Sequence, residues 1–302
     1  MSWQFIHRRG NKTYSSKHKM IEIYPGDALK RLQDIEDQSV NTVVTSPPYY
    51  QQRNYQSFGQ IGWEDSVDEF VQKLLSVFKE VKRVLRDDGT LWLNIGDSWL
   101  AKKQLGLIPF QIAHALQKDG WILRQDIIWH KPNPMVESVK DRCTHAHEYI
   151  FLFSKDLKYY FDHDQMREDC LGKDERVWSD TYENSGSIVQ GDTNANIKRT
   201  KRYAQDDSFR RNRRSVWQVT TKPFPETHFA TFPKDLIEPC VLAGCPEHGV
   251  VLDPFGGSGT TCIVAEGYNR NSKMIELNNN YIDIAKNRIH QELGMMGEYK
   301  IL

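Results

Sequence analysis

The sequence predicts an α/β fold, in which helices flank a mostly parallel β-sheet and a polar insert occupies the middle of the chain. Two junctions between a strand and a loop carry this prediction, one at residues 43–50 and one at residues 250–261. Each begins with a short run of β-branched or aliphatic residues, which is typical of a buried strand. Because open α/β sheets bind ligands at the carboxyl ends of their strands, we expect both loops to lie at the ligand-binding edge.

The first junction places Ser46, Pro47, Pro48 and Tyr49 directly after the run Val43-Val44-Thr45. Both prolines lack an N–H and have a fixed φ, so the chain leaves the sheet as a rigid, extended loop. The loop therefore presents a hydroxyl, free carbonyls and an aromatic ring. Such groups can accept hydrogen bonds from an amino group on a flat ring while the tyrosine stacks on that ring. A proline-terminated strand with a core tyrosine is the alternative interpretation.

The second junction is a strand, a glycine-rich turn, a helix and another strand. Asp253 ends the first strand and Glu276 ends the second, and the turn occupies residues 255–259. Glycines let the backbone approach a ligand closely, and the helix N-terminus offers unpaired N–H groups. Asp253 can accept a hydrogen bond from a ligand, and an acid placed like Glu276 typically binds the two hydroxyls of a ribose. The unit therefore predicts a nucleoside cofactor.

Two other cofactor classes fit this turn less well. A phosphate-binding loop ends in Gly-Lys-Ser/Thr, and that ending is missing here. The dinucleotide fingerprint needs a third glycine, and that position falls on Cys262 when the fingerprint starts at Gly257. A single Gly-x-Gly is a weak signal, so the choice of cofactor depends on the rest of the chain.

Taken together, the two junctions resemble the amino-directed DNA methyltransferases that use S-adenosylmethionine. Residues 255–259 are similar to that family's Phe-x-Gly-x-Gly cofactor motif, and residues 46–49 to its catalytic Asp/Asn/Ser-Pro-Pro-Tyr/Phe motif. Further segments resemble the family's adenine contact, a core strand, the strand and loop that line the target-base pocket, and the segment that packs on the methionine end. These segments are residues 26–28, 89–97, 127–134 and 228–233.

The order of the motifs extends the resemblance. The catalytic motif comes first and the cofactor motif last, as in the β group, whose Rossmann-like methyltransferase fold is circularly permuted around a central target-recognition insert. The resemblance implies double-stranded DNA as substrate, S-adenosyl-L-methionine as cofactor and functional pairing with a restriction endonuclease. Ser46 favours the N4 amino group of cytosine, because adenine enzymes of the family more often carry Asp or Asn there. Methylation of adenine N6 stays open.

The resemblance also implies roles for individual residues. The cytosine amino group is a poor nucleophile, so the Ser46 hydroxyl and the Pro47 carbonyl are expected to accept its N–H bonds as the methyl arrives. Together with Pro48, Tyr49 completes the catalytic motif and is expected to stack on the flipped base. The expected cofactor residues are Asp27, Phe232, Asp253, Phe255, Gly256, Gly257, Gly259, Thr260 and Glu276. Further candidates for the base pocket are Tyr50, Trp129 and Lys131.

Charge is balanced over the chain but not along it. The 302 residues include 40 basic and 40 acidic side chains, which gives no net charge. A basic cluster between residues 197 and 216 is opposed only by Asp206 and Asp207. Such a cluster can neutralise DNA phosphates, although a solvated face is the usual interpretation of a charge run. The expected DNA-binding residues are Lys198, Arg199, Lys201, Arg202, Arg210, Arg211, Arg213 and Arg214.

Composition divides the chain into four expected parts. These are a basic arm at 1–19, a catalytic half at 20–153, a recognition insert at 154–222 and a cofactor half at 223–302. Apolar residues at helical spacing from Val67 to Leu85 predict a helix, followed by a turn at 87–89 and a strand at Leu91. The other expected elements are helices over 107–116 and 262–266, and strands over 121–129, 148–153 (antiparallel) and 273–276.

Cysteine usage and hydropathy bear on the compartment. The five cysteines are an odd number without disulfide-like spacing, and neither a signal peptide nor a long apolar run is evident. We therefore expect a reduced, cytoplasmic protein. Cys240, Cys245 and His248 lie close in sequence, but no second ligand pair follows at zinc-finger spacing, so we expect no metal site.

Two functions of other classes remain as alternatives. A non-catalytic DNA-binding protein could use a methyltransferase scaffold, but the intact catalytic motif and glycine turn argue against it. Enzymes that methylate RNA or a protein glutamine more often carry Asn-Pro-Pro-Tyr and lack a central basic insert. Methyl transfer from labelled cofactor to DNA, RNA and protein would separate these functions.

Overall fold

The main body of the molecule is one nine-stranded β-sheet with helices on both faces. A computed structural model describes residues 20–54, 59–169, 210–221, 232–294 and 298–302. The strands are β1 (Ile21–Pro25), β2 (Val40–Thr45), β3 (Leu85–Ile95), β4 (Ile122–His130), β5 (His147–Ser154), β6 (Glu168–Asp169), β7 (Arg210–Arg211), β8 (Val216–Gln218), β9 (Val250–Asp253), β10 (Asn271–Glu276) and β11 (Tyr299–Ile301). The helices are α1 (Ala28–Arg31), α2 (Val67–Val84), α3 (Ile108–Lys118), α4 (His163–Met166), α5 (Lys234–Gly244), α6 (Thr260–Gly267) and α7 (Asn279–Leu293).

The sheet is mostly parallel, as predicted. Its strand order is β11-β1-β10-β9-β2-β3-β5-β4-β8. Only β5 runs against its neighbours, and this confirms the antiparallel strand predicted there. Strand β2 lies directly beside β9, with Val43 opposite Leu252. Because these two strands are parallel neighbours, the Ser46–Tyr49 loop and the glycine turn leave the sheet side by side.

Alternating side chains of the central strands fill a separate core on each face of the sheet. Val43 and Leu91 point into the core covered by α2 and α3. Val44 and Trp92, one residue further along each strand, point into the core covered by α5 and α6. Strands that bury both faces read as continuous apolar runs, which is why the sequence predicts them well.

Strand β3 begins earlier than predicted. The turn expected at residues 87–89 is wrong as an element boundary, because the chain already pairs with β2 at Leu85. The register between β2 and β3 then shifts before Thr90 joins the ladder. Gly89 folds back onto Leu85 so tightly that a Cβ at this position would lie 2.5 Å from Leu85 Cγ. The turn residues therefore form an irregularity within the strand.

The described part of the expected insert packs against both halves, with α4 on α5 of the cofactor half and β8 beside β4 of the catalytic half. Strands β6 and β7 form a two-stranded antiparallel ribbon. Strand β8 extends the main sheet beside β4, with the buried Trp217 opposite Trp129. A strand of three residues has too short a pattern to be predicted from sequence. Residues 1–19 and the residues Lys198, Arg199, Lys201 and Arg202 lie outside the described residues, and the boundaries of the four parts stay predictions.

Two searches of the described residues bear on membrane and metal binding. No helix in the described ranges has the length and hydropathy needed to cross a membrane. The same residues contain no group of three or more His, Cys, Asp or Glu side chains suited to a metal ion. Cys240 and Cys245 are buried thiols of the core around α5.

Candidate active site

A cleft at the carboxyl edge of the sheet joins the two loops. Ser46 and Pro48 of the first loop line it. Eight of the nine expected cofactor residues line it as well, namely Asp27, Phe232, Asp253, Phe255, Gly256, Gly257, Thr260 and Glu276. The ninth, Gly259, is the N-cap of α6 with a left-handed φ of 77°, and a Cβ on it would lie 3.2 Å from Ala285 Cβ. A larger residue at Gly259 would strain the turn and press on α7.

Asp253 joins the two loops. Its carboxylate accepts hydrogen bonds from the hydroxyls of Thr45 and Thr261, both at 2.7 Å, and from the N–H of Phe255 at 3.1 Å. Thr45 directly precedes Ser46, so one side chain fixes the end of β2, the glycine turn and the start of α6. Burial raises the pKa of Asp253 to about 6. Asp253 therefore holds the two loops together by hydrogen bonds and also lines the cleft.

Glu276 has a carboxylate that the backbone already orients. Its Oε2 accepts a hydrogen bond from the Gly257 N–H and its Oε1 from the Asn278 N–H, both at 2.8 Å. Burial raises the pKa of Glu276. Gly256 permits this close approach, because a Cβ on it would lie 2.7 Å from the Cβ of Met274. The glycine turn is thereby packed directly on β10.

Arg288 of α7 holds the glycine turn from inside the molecule, and the sequence analysis missed it. Its Nη1 donates to the Ser258 carbonyl at 2.9 Å, to the Ser258 hydroxyl at 2.6 Å and to the Thr260 hydroxyl at 2.9 Å. The whole residue is only 6% exposed. An arginine beside the apolar stripe that contains Ala285 and Ile289 was the available signal, since buried arginines need partners.

The lining of the cleft is acidic. Its charged residues are Asp27, Asp253 and Glu276, with Arg53 as the one cation among the described lining residues. Burial raises the pKa values of Asp253 and Glu276, and a bound cation would favour the ionised forms of these two acids. The apolar lining residues include Pro254, Phe255, Ile275 and Leu277. A cationic nucleoside fits this lining, whereas the charge of a polyphosphate would be repelled by it.

Tyr49 is held by its hydroxyl. The hydroxyl donates to Glu148 Oε2 at 2.6 Å, and it lies 3.4 Å from Ser46 Oγ. The Asn94 amide donates to the same Glu148 oxygen at 3.3 Å. Gly96 leaves room for the ring, because a Cβ on it would lie 2.8 Å from Tyr49 Cε2. Burial and the Glu148 charge raise the pKa of Tyr49 well above its usual value, so the phenol keeps its proton.

Glu148 also holds Lys131, one of the further pocket candidates. Lys131 forms an ion pair with Glu148 Oε1, and its Nζ lies 4.5 Å from the centre of the Trp129 ring. Tyr50 and Trp129 belong to the core rather than to the cleft, being 5% and 4% exposed, and Tyr50 packs on Phe70. Sequence analysis assigned Glu148 to a strand only, although a charge at the start of an apolar run was a usable signal.

The arginine cluster at residues 210–214 binds groups of the protein itself. Glu168 Oε1 accepts hydrogen bonds from Arg211 Nε at 2.9 Å and from Arg214 Nε at 2.8 Å. Although burial alone would raise it, these bonds lower the pKa of Glu168. Arg210 and Arg213 donate to backbone carbonyls of the two residues before Glu168, at 2.7 and 3.3 Å. These contacts fix the ribbon and leave guanidinium groups at its surface.

Comparison with known sequences identifies relatives over most of the chain. The family model N6_N4_Mtase, described as DNA methylase, matches residues 40–287. The Type II methyltransferase M.Cfr9I of Citrobacter freundii is 41% identical over 298 residues, covering 89% of this chain and 88% of the relative. The Type II methyltransferase M.SmaI of Serratia marcescens is 39% identical, covering 91% of this chain and 92% of the relative.

Solved structures with a similar fold also cover most of the chain. The TTHA0409 protein of Thermus thermophilus, solved as a complex with S-adenosyl-L-methionine, has a TM-score of 0.62 and 26% identity, covering 94% of this chain and 100% of that protein. The cytosine-N4-specific PvuII DNA methyltransferase has a TM-score of 0.66, covering 90% of this chain and 89% of its own. At 20% identity, the PvuII enzyme supports the fold alone.

Proposed function

We propose that this chain, which belongs to the N6_N4 family of DNA methylases, transfers a methyl group to the exocyclic N4 amino group of cytosine in double-stranded DNA. The chain is a DNA methyltransferase that uses S-adenosyl-L-methionine, as its family and the complex of TTHA0409 with this cofactor indicate. The observation that carries the choice of cytosine is Ser46 as the first residue of the catalytic motif, at the cleft. The Type II relatives support a restriction–modification role with a cognate endonuclease.

The cleft fits S-adenosyl-L-methionine, which supplies an electrophilic methyl group on a positively charged sulfur. Each carboxylate oxygen has two lone pairs, so Glu276 can receive two ribose hydroxyls while keeping its bonds to Gly257 and Asn278. We assign Asp27 to the adenine end and Phe232 and Asp253 to the methionine end. The remaining cofactor residues, from Phe255 to Thr260, position the backbone of the turn around the ligand.

Catalysis is assigned to the loop that starts at Ser46. The Ser46 hydroxyl and the Pro47 carbonyl accept hydrogen bonds from the amino group of the extruded base. These acceptors stabilise the positive charge that develops on nitrogen as the carbon–nitrogen bond forms. Because Asp253 holds Thr45, and Thr45 directly precedes Ser46, the acceptors are preorganised relative to the cofactor turn.

Tyr49 is assigned to stacking on the extruded base. Extrusion costs a few kcal/mol, and stacking on an aromatic side chain returns about 1–3 kcal/mol. The phenol hydroxyl is bonded to Glu148, so the ring does not need to be ordered when the base arrives. Glu148, with Lys131 on its other oxygen, acts as a positioning residue because it holds the Tyr49 hydroxyl.

The assignment is tested by methyl transfer from radiolabelled S-adenosyl-L-methionine to duplex DNA, RNA and protein. We expect label in DNA alone, recovered as N4-methylcytosine after digestion to nucleosides. Recovery as N6-methyladenine would overturn the choice of base while keeping the enzyme class. Label in RNA or protein alone would overturn the DNA substrate, and no label anywhere would favour a DNA-binding protein without catalytic activity.

A further inference from the structure

The loop between β4 and β5 exposes two adjacent apolar side chains at the carboxyl edge of the sheet. Met135 is 89% exposed and Val136 is 92% exposed. A single exposed apolar residue needs no explanation. Two adjacent apolar side chains that are almost fully exposed leave their apolar surface in water and contribute no stability through burial in the core. The edge on which they lie is the one that carries the Ser46–Tyr49 loop, because β2 and β4 point the same way in the sheet.

The chain before these two residues is firmly attached. The Asn133 side chain donates to the carbonyl of Thr221 and accepts from its N–H, both at 3.0 Å. This pair continues the ladder between β4 and β8. Pro132 and Pro134 flank Asn133. Each proline has a fixed φ, and Pro134 also restricts the backbone of Asn133 before it. The exposed tip therefore starts from an ordered stem.

The chain after the tip is attached to a different element. Arg142 forms an ion pair with Glu137, and its guanidinium lies 4.0 Å from the centre of the Trp99 ring. The other oxygen of Glu137 accepts a hydrogen bond from the His145 N–H at 3.4 Å. Trp99 follows β3, so the loop is attached to neighbours on both sides. Residues 135–136 thus project from a loop that is fixed at both ends.

The tip lies within reach of the proposed base pocket. Lys131 begins the loop and is paired with Glu148, which holds Tyr49. Met135 lies four positions after Lys131, a span of at most about 14 Å. The exposed turn that carries Lys103 is joined to the same loop through Asp141, at 3.4 Å. Lys131 and Arg142 of this loop are each paired with an acid, so the apolar tip itself is the feature that suits the apolar stacked bases of a duplex.

We propose that Met135 and Val136 form a wedge that enters the duplex where the target base has left, opposite the orphaned partner base. The inference rests on the chain being a DNA methyltransferase. Extrusion of a base leaves an apolar gap in the stack. Some minor-groove proteins insert apolar side chains between base steps, so an apolar side chain can enter the stack. The wedge is a positioning element that favours the extruded state, and it touches no reacting atom.

The test uses short duplexes built on the methylated sequence mapped in DNA from cells that express the wild-type chain. One duplex pairs the target base normally, and the other has an abasic site opposite it. We expect the M135G/V136G double variant to lose at least about 10-fold in single-turnover rate on the paired duplex. On the abasic duplex its rate should come within about 2-fold of the wild-type rate, because no orphan base needs support.

Base extrusion is measured separately, by the fluorescence of 2-aminopurine placed at the target position. The double variant should show a smaller increase in 2-aminopurine fluorescence than the wild-type chain. This measurement does not require methyl transfer, so it tests the wedge independently of the choice of cytosine N4. The matched control is L157G, since Leu157 is 72% exposed and follows β5 at the opposite edge of the sheet. Wild-type rates in the double variant, or equal losses on both duplexes, would overturn the wedge. Equal losses from L157G would overturn it too.

Discussion

Tyr49 has an orientation that depends on Glu148, which lies 99 positions later in the chain. The catalytic motif supplies the ring, but the antiparallel pairing of β5 with β3 supplies the carboxylate. Asn94 donates to the same carboxylate oxygen, and Lys131 pairs with its other oxygen. A tyrosine whose hydroxyl is held in this way has little rotational freedom, which suits the stacking on the base that we propose for it.

The contact between Tyr49 and Glu148 predicts a specific pattern of rates. Tyr49→Phe and Glu148→Ala should each lower the single-turnover methylation rate by about 10-fold, because each releases the ring from its anchor. The double variant should be no slower than the slower single variant, since both changes remove the same contact. Tyr268→Phe is the matched control, because Tyr268 also bonds to a carboxylate, that of Glu238, but packs against the core around α5 and α6. Losses that add in the double variant would contradict the assignment.

Asp253 predicts a dependence of stability on pH. The folded protein raises its pKa from 3.8 to about 6 through burial. An acid whose pKa is higher in the folded than in the unfolded state contributes its full stabilisation at pH values below the unfolded-state pKa. That contribution is lost as the pH rises through the folded-state pKa. Relative to Asp253→Asn, the cofactor-free wild-type chain should therefore lose on the order of 1–2 kcal/mol of unfolding free energy between about pH 5 and about pH 8.

Urea unfolding at the two pH values checks this prediction. The control is Asp283→Asn, because Asp283 has a side chain that is 69% exposed and lies on a helix of the same half. A difference between wild type and Asp253→Asn that does not change with pH would mean that the buried carboxyl titrates normally. Added S-adenosyl-L-methionine should reduce the pH dependence, because a bound cation favours the ionised acid.

Among the elements, α7 fixes the shape of the glycine turn through Arg288. Arg288 itself does not line the cleft. The glycine turn has few side chains of its own, so its geometry must come from neighbours. Gly256 and Gly259 allow contact with β10 and α7, and Arg288 supplies the hydrogen bonds. The Ser258 carbonyl and hydroxyl would lose their charged donor if that arginine were removed.

Arg288→Met should lower both stability and cofactor affinity. Loss of the buried donor should reduce the unfolding free energy by about 1–3 kcal/mol and weaken S-adenosyl-L-methionine binding by about 10-fold. The control is Lys286→Met on the same helix, where the lysine pairs with the exposed Asp283. Calorimetry and urea unfolding measure the two effects. Unchanged cofactor affinity in a destabilised Arg288→Met would separate the turn from binding.

The described arginines of the expected DNA-binding cluster lie on β7 and in the segment directly after it. Replacing Arg210, Arg211, Arg213 and Arg214 by alanine should weaken DNA binding and reduce the salt slope by about one unit for each DNA phosphate that is no longer neutralised. Glu168→Gln is the matched change, because it removes the opposing acid and keeps every arginine. It should strengthen DNA binding and leave cofactor affinity unchanged. A salt slope that stays constant in the alanine variant would make the cluster purely structural.

At the scale of the whole molecule, the site is assembled from segments that are far apart in sequence. Thr45 and Asp253 share a hydrogen bond across 208 positions. The sequence predicts the two loops because proline and glycine dictate local backbone shape, and it predicts their meeting because parallel strands end at one edge. Glu148 and Arg288 were not predicted as site residues, since their contacts follow from strand register and helix packing, which no local pattern encodes.

The role of Ser46 in cytosine methylation is tested by the initial rate of N4-methylcytosine formation by the purified chain, measured by nucleoside mass spectrometry of duplex DNA. The wild-type chain should form N4-methylcytosine, and Ser46→Ala should form it about 100-fold more slowly, because one preorganised acceptor is lost. DNA affinity should stay the same in both, since phosphate contacts dominate it. Formation of N6-methyladenine in place of N4-methylcytosine, or equal rates for the two proteins, would contradict the central claim.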